Sequence, residues 1–276
     1  MDVAAALLEL YEQDAEKYFE DPALGPVFDP PAVRVASASD PWFERFEELL
    51  GDFHWTPQKA LSLASPGAEA RSVICWSLPV AEPARAANAE QDEFPHRLWA
   101  YVRTFGERVN DRMREGLAAR LREAGHPAVA PFRRAECSVE RRPGVGLAAN
   151  WSERHAAFVA GLGTFGISGG LITERGIAHR VGSVVTALEL EPTPRPYGDD
   201  PFAWCLRSER GTCGVCIDRC PVGSVGESVH ERDKGACGSH NGRIRSERAE
   251  AFGWEGIYGC GLCQTAVPCE TRNPVD

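Results

Sequence analysis

The amino-acid sequence predicts a mixed α/β domain over residues 1–190, followed by a small cysteine-rich domain over residues 191–276. Three observations support this prediction. Segments with helical periodicity alternate with short apolar runs typical of strands throughout the first part of the chain. A proline-rich segment, residues 191–196, then forms a stiff linker and the expected boundary. Eight of the ten cysteines lie beyond it, between Cys205 and Cys269.

The elements of the first domain are predicted from caps, periodicity and apolar runs. Helices are expected over residues 2–19, 40–51, 97–124 and 152–160, with a short one beginning at Thr56. Strands are expected over residues 33–35, 73–78, 128–130, 136–140, 171–173 and 181–190. Residues 81–96 are rich in alanine, glutamate and proline, and this composition predicts a surface loop.

The clearest helix covers about residues 97–124, because large apolar residues recur at every fourth position from Phe105 to Leu121. Such a stripe predicts packing against a core. A role for its aromatic side chains in a cofactor site is the minority interpretation.

Composition limits the classes of partner and compartment. The net charge of −10 disfavours a large surface that binds nucleic acid through its phosphates. No apolar run approaches the ~18 residues that a membrane-spanning helix needs. The first twelve residues lack a basic stretch and contain Glu9 and Glu12, so they predict an amphipathic helix rather than a signal peptide. We therefore expect a cytoplasmic protein whose clustered cysteines bind metal.

Residues 161–166 read G-L-G-T-F-G and match the dinucleotide-binding pattern G-x-G-x-x-G literally. A dinucleotide site needs a strand before this pattern and a helix after it. Here a predicted helix precedes it and a predicted strand follows. A tight turn is the favoured interpretation. Glycines that let a flat cofactor or substrate approach the backbone are the alternative.

The cysteine spacing carries the strongest chemical signal. Bacterial ferredoxins use the run C-x2-C-x2-C-x3-C-P, whose fourth cysteine binds the other cluster in two-cluster proteins. Cys213, Cys216 and Cys220, followed by Pro221, reproduce the last three cysteines and the proline. Arginine occupies position 210, where the first cysteine is expected, so we assign Cys205 as its substitute.

Two 4Fe–4S clusters would use all eight thiols of this region. The crossed pattern predicts one set of four ligands: Cys205, Cys213, Cys216 and Cys269. It predicts a second set: Cys220, Cys237, Cys260 and Cys263. Zinc and disulfides are the alternatives. The three-residue gap and the Cys-Pro ending fit zinc poorly, and the first residues, which do not resemble a signal peptide, disfavour disulfides. Cys75 and Cys137 are interpreted as small buried apolar residues.

Three segments carry a resemblance to a known family. They are residues 151–168 (W-S-E-R-H-A-A-F-V-A-G-L-G-T-F-G-I-S), residues 211–223 (G-T-C-G-V-C-I-D-R-C-P-V-G) and residues 258–270 (Y-G-C-G-L-C-Q-T-A-V-P-C-E). Together they resemble the epoxyqueuosine reductase family, and more closely the short 4Fe–4S proteins related to it. The resemblance spans roughly residues 70–270.

This resemblance implies a fold and a cofactor. It implies an α/β domain similar to flavin nitroreductases that carries cobalamin, beside a ferredoxin-like domain with two clusters. Electrons would pass through the clusters to cobalt, as is implied also for the related reductive dehalogenases. We accordingly predict that the residues of the glycine turn contact the cofactor: Gly161, Gly163, Thr164, Phe165 and Gly166.

The substrate implied by the family does not transfer. The tRNA-modifying members place an aspartate proton donor six residues before the glutamate that aligns with Glu153, and here that position is Leu147. They also extend into a helical-repeat domain. With a net charge of −10, we expect a small-molecule substrate rather than tRNA, and an external low-potential electron donor such as a ferredoxin or flavodoxin.

Reduction also needs protons, and Glu153, His155 and Tyr258 are the candidate donors. Each has a structural alternative. Glu153 would complement a helix dipole, His155 would be a satisfied helix histidine, and Tyr258 would shield a cluster from water. Three functions remain open: a cluster-fed reductase, with or without cobalamin; a ferredoxin-type electron carrier; and a regulatory cluster protein.

Overall fold

The computed structural model describes residues 1–142 and 146–276 and shows a mixed α/β fold. The helices are α1 (Val3–Gln13), α2 (Pro41–Leu50), α3 (Pro57–Ala64), α4 (Glu82–Ala89), α5 (Arg97–Tyr101), α6 (Glu107–Glu123), α7 (Glu153–Val159), α8 (Leu206–Arg210), α9 (Val215–Asp218) and α10 (Lys234–Phe252). The strands are β1 (Ala32–Ser37), β2 (Ser72–Pro79), β3 (Ala128–Val129), β4 (Val139–Arg142), β5 (Gly146–Ala149), β6 (Gly163–Phe165), β7 (Leu171–Thr173) and β8 (His179–Thr186).

The main sheet has the strand order β1-β2-β8-β3, and all its neighbouring strands are antiparallel. Every residue of β2 is buried, as its continuous apolar run predicts. The reason is that both faces of the strand are covered. Ile74 and Trp76 pack into a core shared with α1 and α6, whereas Val73 and Cys75 pack into a core shared with α2 and α7.

The predicted loop over residues 81–96 is wrong, because α4 occupies most of its first half. Pro83 lies in the first turn of α4, where a proline costs the helix no hydrogen bond. Tertiary contacts hold the helix. Arg85 forms a salt bridge of 2.8 Å with Glu270, and Asn88 donates to the Thr265 hydroxyl at 3.1 Å. Both partners lie far along the chain, where local composition gives no signal.

Two predicted helices differ in their bounds. The helix expected over residues 2–19 ends at Gln13, where Asp14 caps a short 3-10 turn instead. The helix expected over residues 97–124 contains a π-helical segment, Val102–Gly106. Gly106 lies against the ring of Phe28, and a β-carbon there would meet that ring at 2.8 Å. The helix therefore contributes two short pieces and α6 rather than one uninterrupted rod.

The strands predicted over residues 171–173 and 181–190 belong to different sheets. β7 pairs with β6 in a hairpin, and β8 is a central strand of the main sheet. The first strand of that hairpin lies inside the glycine turn. A strand therefore occupies the position where a dinucleotide site would need a loop and a helix.

Gly163→Ala is expected to destabilise the protein strongly. A β-carbon at Gly163 would collide with the carbonyl oxygen of Ile172 on the paired strand, and backbone cannot move aside as a side chain can. Gly242→Ala in α10 is the matched control, because a β-carbon there meets nothing within 4 Å. In a helix interior alanine is favoured over glycine by about 0.5–1 kcal/mol, so this control should be neutral or stabilising in urea unfolding. Equal losses in the two variants would contradict the steric argument.

The cysteine-rich segment packs on the α/β part through specific contacts. The Thr193 backbone N–H donates to the Val35 carbonyl at 2.8 Å, and the Thr193 hydroxyl accepts from the Val35 N–H at 3.0 Å. Asp233 caps α10 by accepting hydrogen bonds from Gly235 and Ala236.

Within the described ranges, we find no helix with the length and apolar character needed to cross a membrane.

Candidate functional site

A cavity of about 370 Å³ lies between the α/β part and the cysteine-rich segment. Its walls come from α7, the start of β8, α10 and the two cysteine motifs. The volume is within the ~300–1,000 Å³ of pockets for small-molecule ligands. The junction of two parts of a chain is also a common position for such pockets.

The eight clustered thiols divide between two cavities. The 370 Å³ cavity is lined by one set: Cys220, Cys237, Cys260 and Cys263. A second cavity of about 30 Å³ is lined by the other: Cys205, Cys213, Cys216 and Cys269. We call these the Cys220 group and the Cys205 group. They are the two sets of four into which the crossed spacing divides the sequence, and their binding of iron stays a prediction.

The clustered thiols lie close to one another and are at least partly buried, and this raises the pKa of several of them. Burial raises the pKa of Cys216 to about 12, and the nearby Cys263, Cys205 and Cys213 raise it further. Burial likewise raises the pKa of Cys260 to about 12. Metal binding must therefore displace protons, because thiolates are the ligands. Cys263 belongs to the other group, so the two groups adjoin at Cys216 and Cys263.

Hydrogen bonds reach the sulfurs of the Cys220 group. The Ser224 backbone N–H donates to Cys220 Sγ at 3.2 Å. Arg232 Nη2 and Asn241 Nδ2 each donate to Cys237 Sγ at 3.8 Å. Such bonds stabilise the negative charge on a thiolate ligand and raise the reduction potential of a cluster.

No disulfide bond is formed, because all ten cysteines are free thiols, so the disulfide alternative gains no support. Among the residues that the structure describes, no three histidine, cysteine or acidic side chains are placed to hold a single metal ion. Cys75 is fully buried in β2, and Cys137 is half-buried beside the same core.

Glu153 lies on the cavity wall at the start of α7. Its two carboxylate oxygens accept from Arg114 Nε and Nη2 at 2.8 and 2.6 Å, and the Ser183 backbone N–H donates to it at 3.0 Å. Arg114 is itself completely buried and also binds Glu107 and Asp111. The predicted proton donor is thus also part of a buried ionic network.

Burial determines the proton affinities in this network. It raises the pKa of Glu153 to about 7, although Arg114 opposes the rise. Burial also acts to lower the pKa of Arg114, but the carboxylates of Glu153 and Glu107 outweigh it and hold that pKa above its ordinary value. Glu153 is therefore a carboxyl that exchanges a proton near neutral pH at a cavity wall.

His155 is not among the described residues that form the cavity wall. Its Nδ1 lies 2.6 Å from the Ser152 hydroxyl, and its ring packs against Phe46 and Phe165, with centroids at 4.6 and 5.0 Å. Ser152 precedes α7, but its side chain makes no capping bond to the backbone. Burial lowers the pKa of His155 to about 3, so the ring is neutral at physiological pH.

His155 should make the protein sensitive to acid. The unfolded chain takes up a proton at this histidine near pH 6.5, whereas the folded chain does so only near pH 3, so stability falls as the pH falls through this window. Replacing His155 by leucine should flatten the dependence by up to ~1.4 kcal/mol per pH unit. Urea unfolding at pH 7 and pH 5 measures this difference. His230→Gln, at an exposed position, should leave the slope as it is; a slope unchanged in His155→Leu would contradict the assignment.

Tyr258, the third candidate donor, lies beside the cavity. The Arg103 guanidinium lies 5.1 Å from the centre of its ring. Burial raises the pKa of the Tyr258 hydroxyl, and Arg103 opposes this rise. Among the described residues, Glu153 forms part of the cavity wall, whereas Tyr258 and His155 do not.

The residues of the glycine turn also lie elsewhere. None of the five, Gly161, Gly163, Thr164, Phe165 and Gly166, contributes to the described wall of the 370 Å³ cavity. Gly166 lines the small cavity of the Cys205 group instead. Gly161 adopts a φ of 86°, and a β-carbon there would meet the Pro194 carbonyl at 2.8 Å. These glycines permit close packing within the protein, and their contact with a cofactor stays a prediction.

Polar side chains that the sequence did not single out line the cavity. His240 is buried, stacks on Phe94 with ring centroids 5.6 Å apart, and has no hydrogen-bond partner at either ring nitrogen among the described residues. His179 Nδ1 and Arg232 Nε belong to residues of the same cavity wall and are also buried without a hydrogen-bond partner among the described residues. One signal was present for His240, because it follows Cys237 by three residues and therefore shares its face of α10.

Among the described residues, four of the nine buried side-chain polar atoms without a hydrogen-bond partner belong to residues of this cavity wall. Such atoms cost free energy in a folded protein unless a ligand or water satisfies them. The cavity wall therefore offers polar groups to a ligand or to water.

Comparison with known proteins adds evidence on the fold. No protein-family profile and no curated protein sequence matches the chain. Among solved structures, a catabolic reductive dehalogenase matches 99% of the chain with 15% identity and a TM-score of 0.50. The chain shares the fold of this dehalogenase. It spans 36% of the length of that protein.

Epoxyqueuosine reductases are also among the matching structures. The enzyme from Bacillus subtilis matches 98% of the chain with 18% identity and a TM-score of 0.47. The enzyme from Streptococcus thermophilus matches the same share with 14% identity and a TM-score of 0.48. The chain spans 66% of the length of each. This is the family that the cysteine motifs and residues 151–168 resemble.

Proposed function

We propose that this protein is an iron–sulfur oxidoreductase with two 4Fe–4S clusters, which reduces a ligand bound in the 370 Å³ cavity. One observation carries the proposal. Four thiols of the Cys220 group line the cavity that holds the unsatisfied polar atoms, and four more adjoin them. The predicted cluster ligands and the candidate ligand site thus share one wall of the cavity.

The residues present suit iron–sulfur clusters. Thiolates are soft ligands that favour iron–sulfur clusters, and each group supplies the four that a cluster needs. A zinc ion needs four ligands within ~2.3 Å, while a cluster needs them around four irons. When bound, the clusters would supply single electrons at low potential.

The arrangement gives the two groups different roles. The Cys220 group lies at the cavity, and the Cys205 group lies behind it, adjoining at Cys216 and Cys263. An external low-potential donor such as a ferredoxin or flavodoxin would deliver electrons from the side of the Cys205 group. We place this chemistry in the cytoplasm, because reduced thiols and low-potential donors occur together there.

Glu153 is our candidate for the proton donor. It reaches the cavity wall, and its pKa of about 7 lets it both hold and release a proton at neutral pH. Arg114 and Ser183 fix its carboxylate in place. Neither His155 nor Tyr258 has this combination of position and proton affinity.

The resemblance further implies cobalamin, and the cavity offers it a partial fit. A corrinoid is larger than 370 Å³, so only part of it would lie within the cavity. His240, His179 and Arg232 supply polar atoms that the amides and phosphate of a corrinoid would satisfy. When bound there, cobalamin would supply a nucleophilic cobalt centre beside the Cys220 group.

Metal analysis after purification without oxygen tests the proposal. We expect about eight irons and eight sulfides per chain, since each of two clusters holds four of each. Cobalt or a corrinoid spectrum after addition of cobalamin would assign the acceptor, and eight irons without corrinoid affinity would leave a cobalamin-free reductase of small molecules. Zinc without sulfide would overturn the proposal.

A further inference from the structure

Three arginines on the cavity wall have no carboxylate partner among the described residues: Arg103, Arg154 and Arg232. The other charges of the wall are paired. Arg180 forms a salt bridge with Glu107, and Glu153 binds Arg114. The wall therefore carries uncompensated positive charge, although the whole chain has a net charge of −10.

The three arginines are close enough to repel one another. Arg154 donates to the Gly169 carbonyl, and a β-carbon placed on Gly169 would lie 2.6 Å from Arg232 Nη1, so the two guanidinium groups lie near the same residue. The charges of Arg232 and Arg103 act to lower the pKa of Arg154. The pKa of Lys234, at the start of α10, is also lowered, first by burial and then by the charges of Arg154 and Arg232. Holding like charges together in a protein costs free energy, and an anion among them recovers that cost.

Part of this charge faces the thiols. Arg232 Nη2 donates to Cys237 Sγ at 3.8 Å, so its charge would be balanced by thiolate ligands. Arg103 lies over the ring of Tyr258 at 5.1 Å. Among the described residues Arg154 donates only to the Gly169 carbonyl, and its exposed side chain lines the cavity. Arg154 is therefore the cation with the least compensation.

Apolar side chains complete the same wall, including Trp151, Leu171 and Val181. A cavity wall that combines arginines without carboxylate partners with apolar side chains suits a small organic anion. We propose that Arg154, supported by Arg103 and Arg232, binds the carboxylate or phosphate group of the cavity's ligand. The statement that this ligand is reduced rests on the proposed function, whereas the statement that the cavity binds an anion does not.

The anionic group has two sources that share this chemistry. It is carried either by a substrate or by the phosphate of the nucleotide arm of cobalamin. The fixed guanidinium groups would orient either ligand relative to the Cys220 group, since guanidinium binds carboxylate and phosphate through paired hydrogen bonds.

Benzoate and its neutral analogue benzamide are the probes. Their binding to the anaerobically purified full chain is measured by isothermal titration calorimetry at low salt. We expect benzoate to bind about tenfold or more tightly than benzamide, because a charge-assisted pair adds about 1.5–3 kcal/mol. Arg154→Gln should abolish this preference, and Arg103→Gln should reduce it. Arg71→Gln is the matched control, since Arg71 pairs with Glu69 on the exposed surface.

Equal affinity for the two probes, or equal losses in the Arg71 and Arg154 variants, would overturn the anion site. Displacement of benzoate by cobalamin but not by cobinamide, which lacks the phosphate, would support it with the corrinoid as the source. Displacement by neither would support it with the substrate as the source.

Iron and sulfide are counted in the same samples. A protein that holds clusters but binds benzoate no more tightly than benzamide would contradict the anion site and leave the proposed function standing. A protein that prefers benzoate but holds no clusters would contradict the proposed function and leave the anion site standing.

Discussion

Cys205→Ser is expected to remove one cluster and spare the other, so that iron falls from about eight to about four per chain. Cys205 lines the small cavity with Cys213, Cys216 and Cys269, and it stands in for the cysteine that the ferredoxin spacing places at position 210. Serine is a poorer ligand for iron than thiolate. Iron and sulfide analysis with electron paramagnetic resonance of the reduced protein measures the loss.

Two further variants sharpen this experiment. Cys237→Ser should remove the other cluster, because Cys237 lines the 370 Å³ cavity. Cys137→Ser is the control with the same chemical change, and it should retain about eight irons because Cys137 lines neither cavity. Retention of both clusters in Cys205→Ser would show that another ligand takes its place.

Arg114→Met is expected to destabilise the protein by about 3–5 kcal/mol, because it leaves the buried Glu153 carboxylate without its cationic partner. Arg114 is completely buried and binds Glu153, Glu107 and Asp111 at 2.6–2.7 Å. It also donates to the Val181 carbonyl at 2.8 Å, so the substitution also removes a hydrogen bond to the central strand β8. Urea unfolding of the cluster-loaded protein measures the change.

Arg112→Gln is the matched control on the same helix. Arg112 binds Asp14 at 2.6 Å, but its side chain is 43% exposed, and such pairs contribute about 0–1 kcal/mol. Adding Glu153→Gln to Arg114→Met should recover part of the loss, because one uncompensated charge is removed. A double variant less stable than Arg114→Met alone would contradict this account.

The central strands could be predicted because burial on both faces leaves a continuous apolar run, as in β2. α4 could not, because its stability depends on Glu270 and Thr265 far along the chain. The hairpin of β6 and β7 was hidden for a related reason. A glycine turn gives the same local signal whether its glycines approach a cofactor or, as at Gly163, a neighbouring strand.

The candidate site was predictable where spacing constrains chemistry. The cysteine motifs divide the thiols into two sets, and the structure brings together the same two sets around two cavities. Arg154 and His240 had no such motif. An arginine without a partner becomes visible only once the acidic side chains near it are known, and the sequence does not supply those distances.

The two groups of thiols overlap along the chain, because Cys220 and Cys263 lie between Cys205 and Cys269. During translation, neither group is complete until Cys263 has been added, and the Cys205 group waits for Cys269. We therefore expect metal loading to follow synthesis of the α/β part, and nascent chains arrested before Cys263 to hold no complete set of ligands. A single proteolytic cut between Cys220 and Cys263 would open both loops at once.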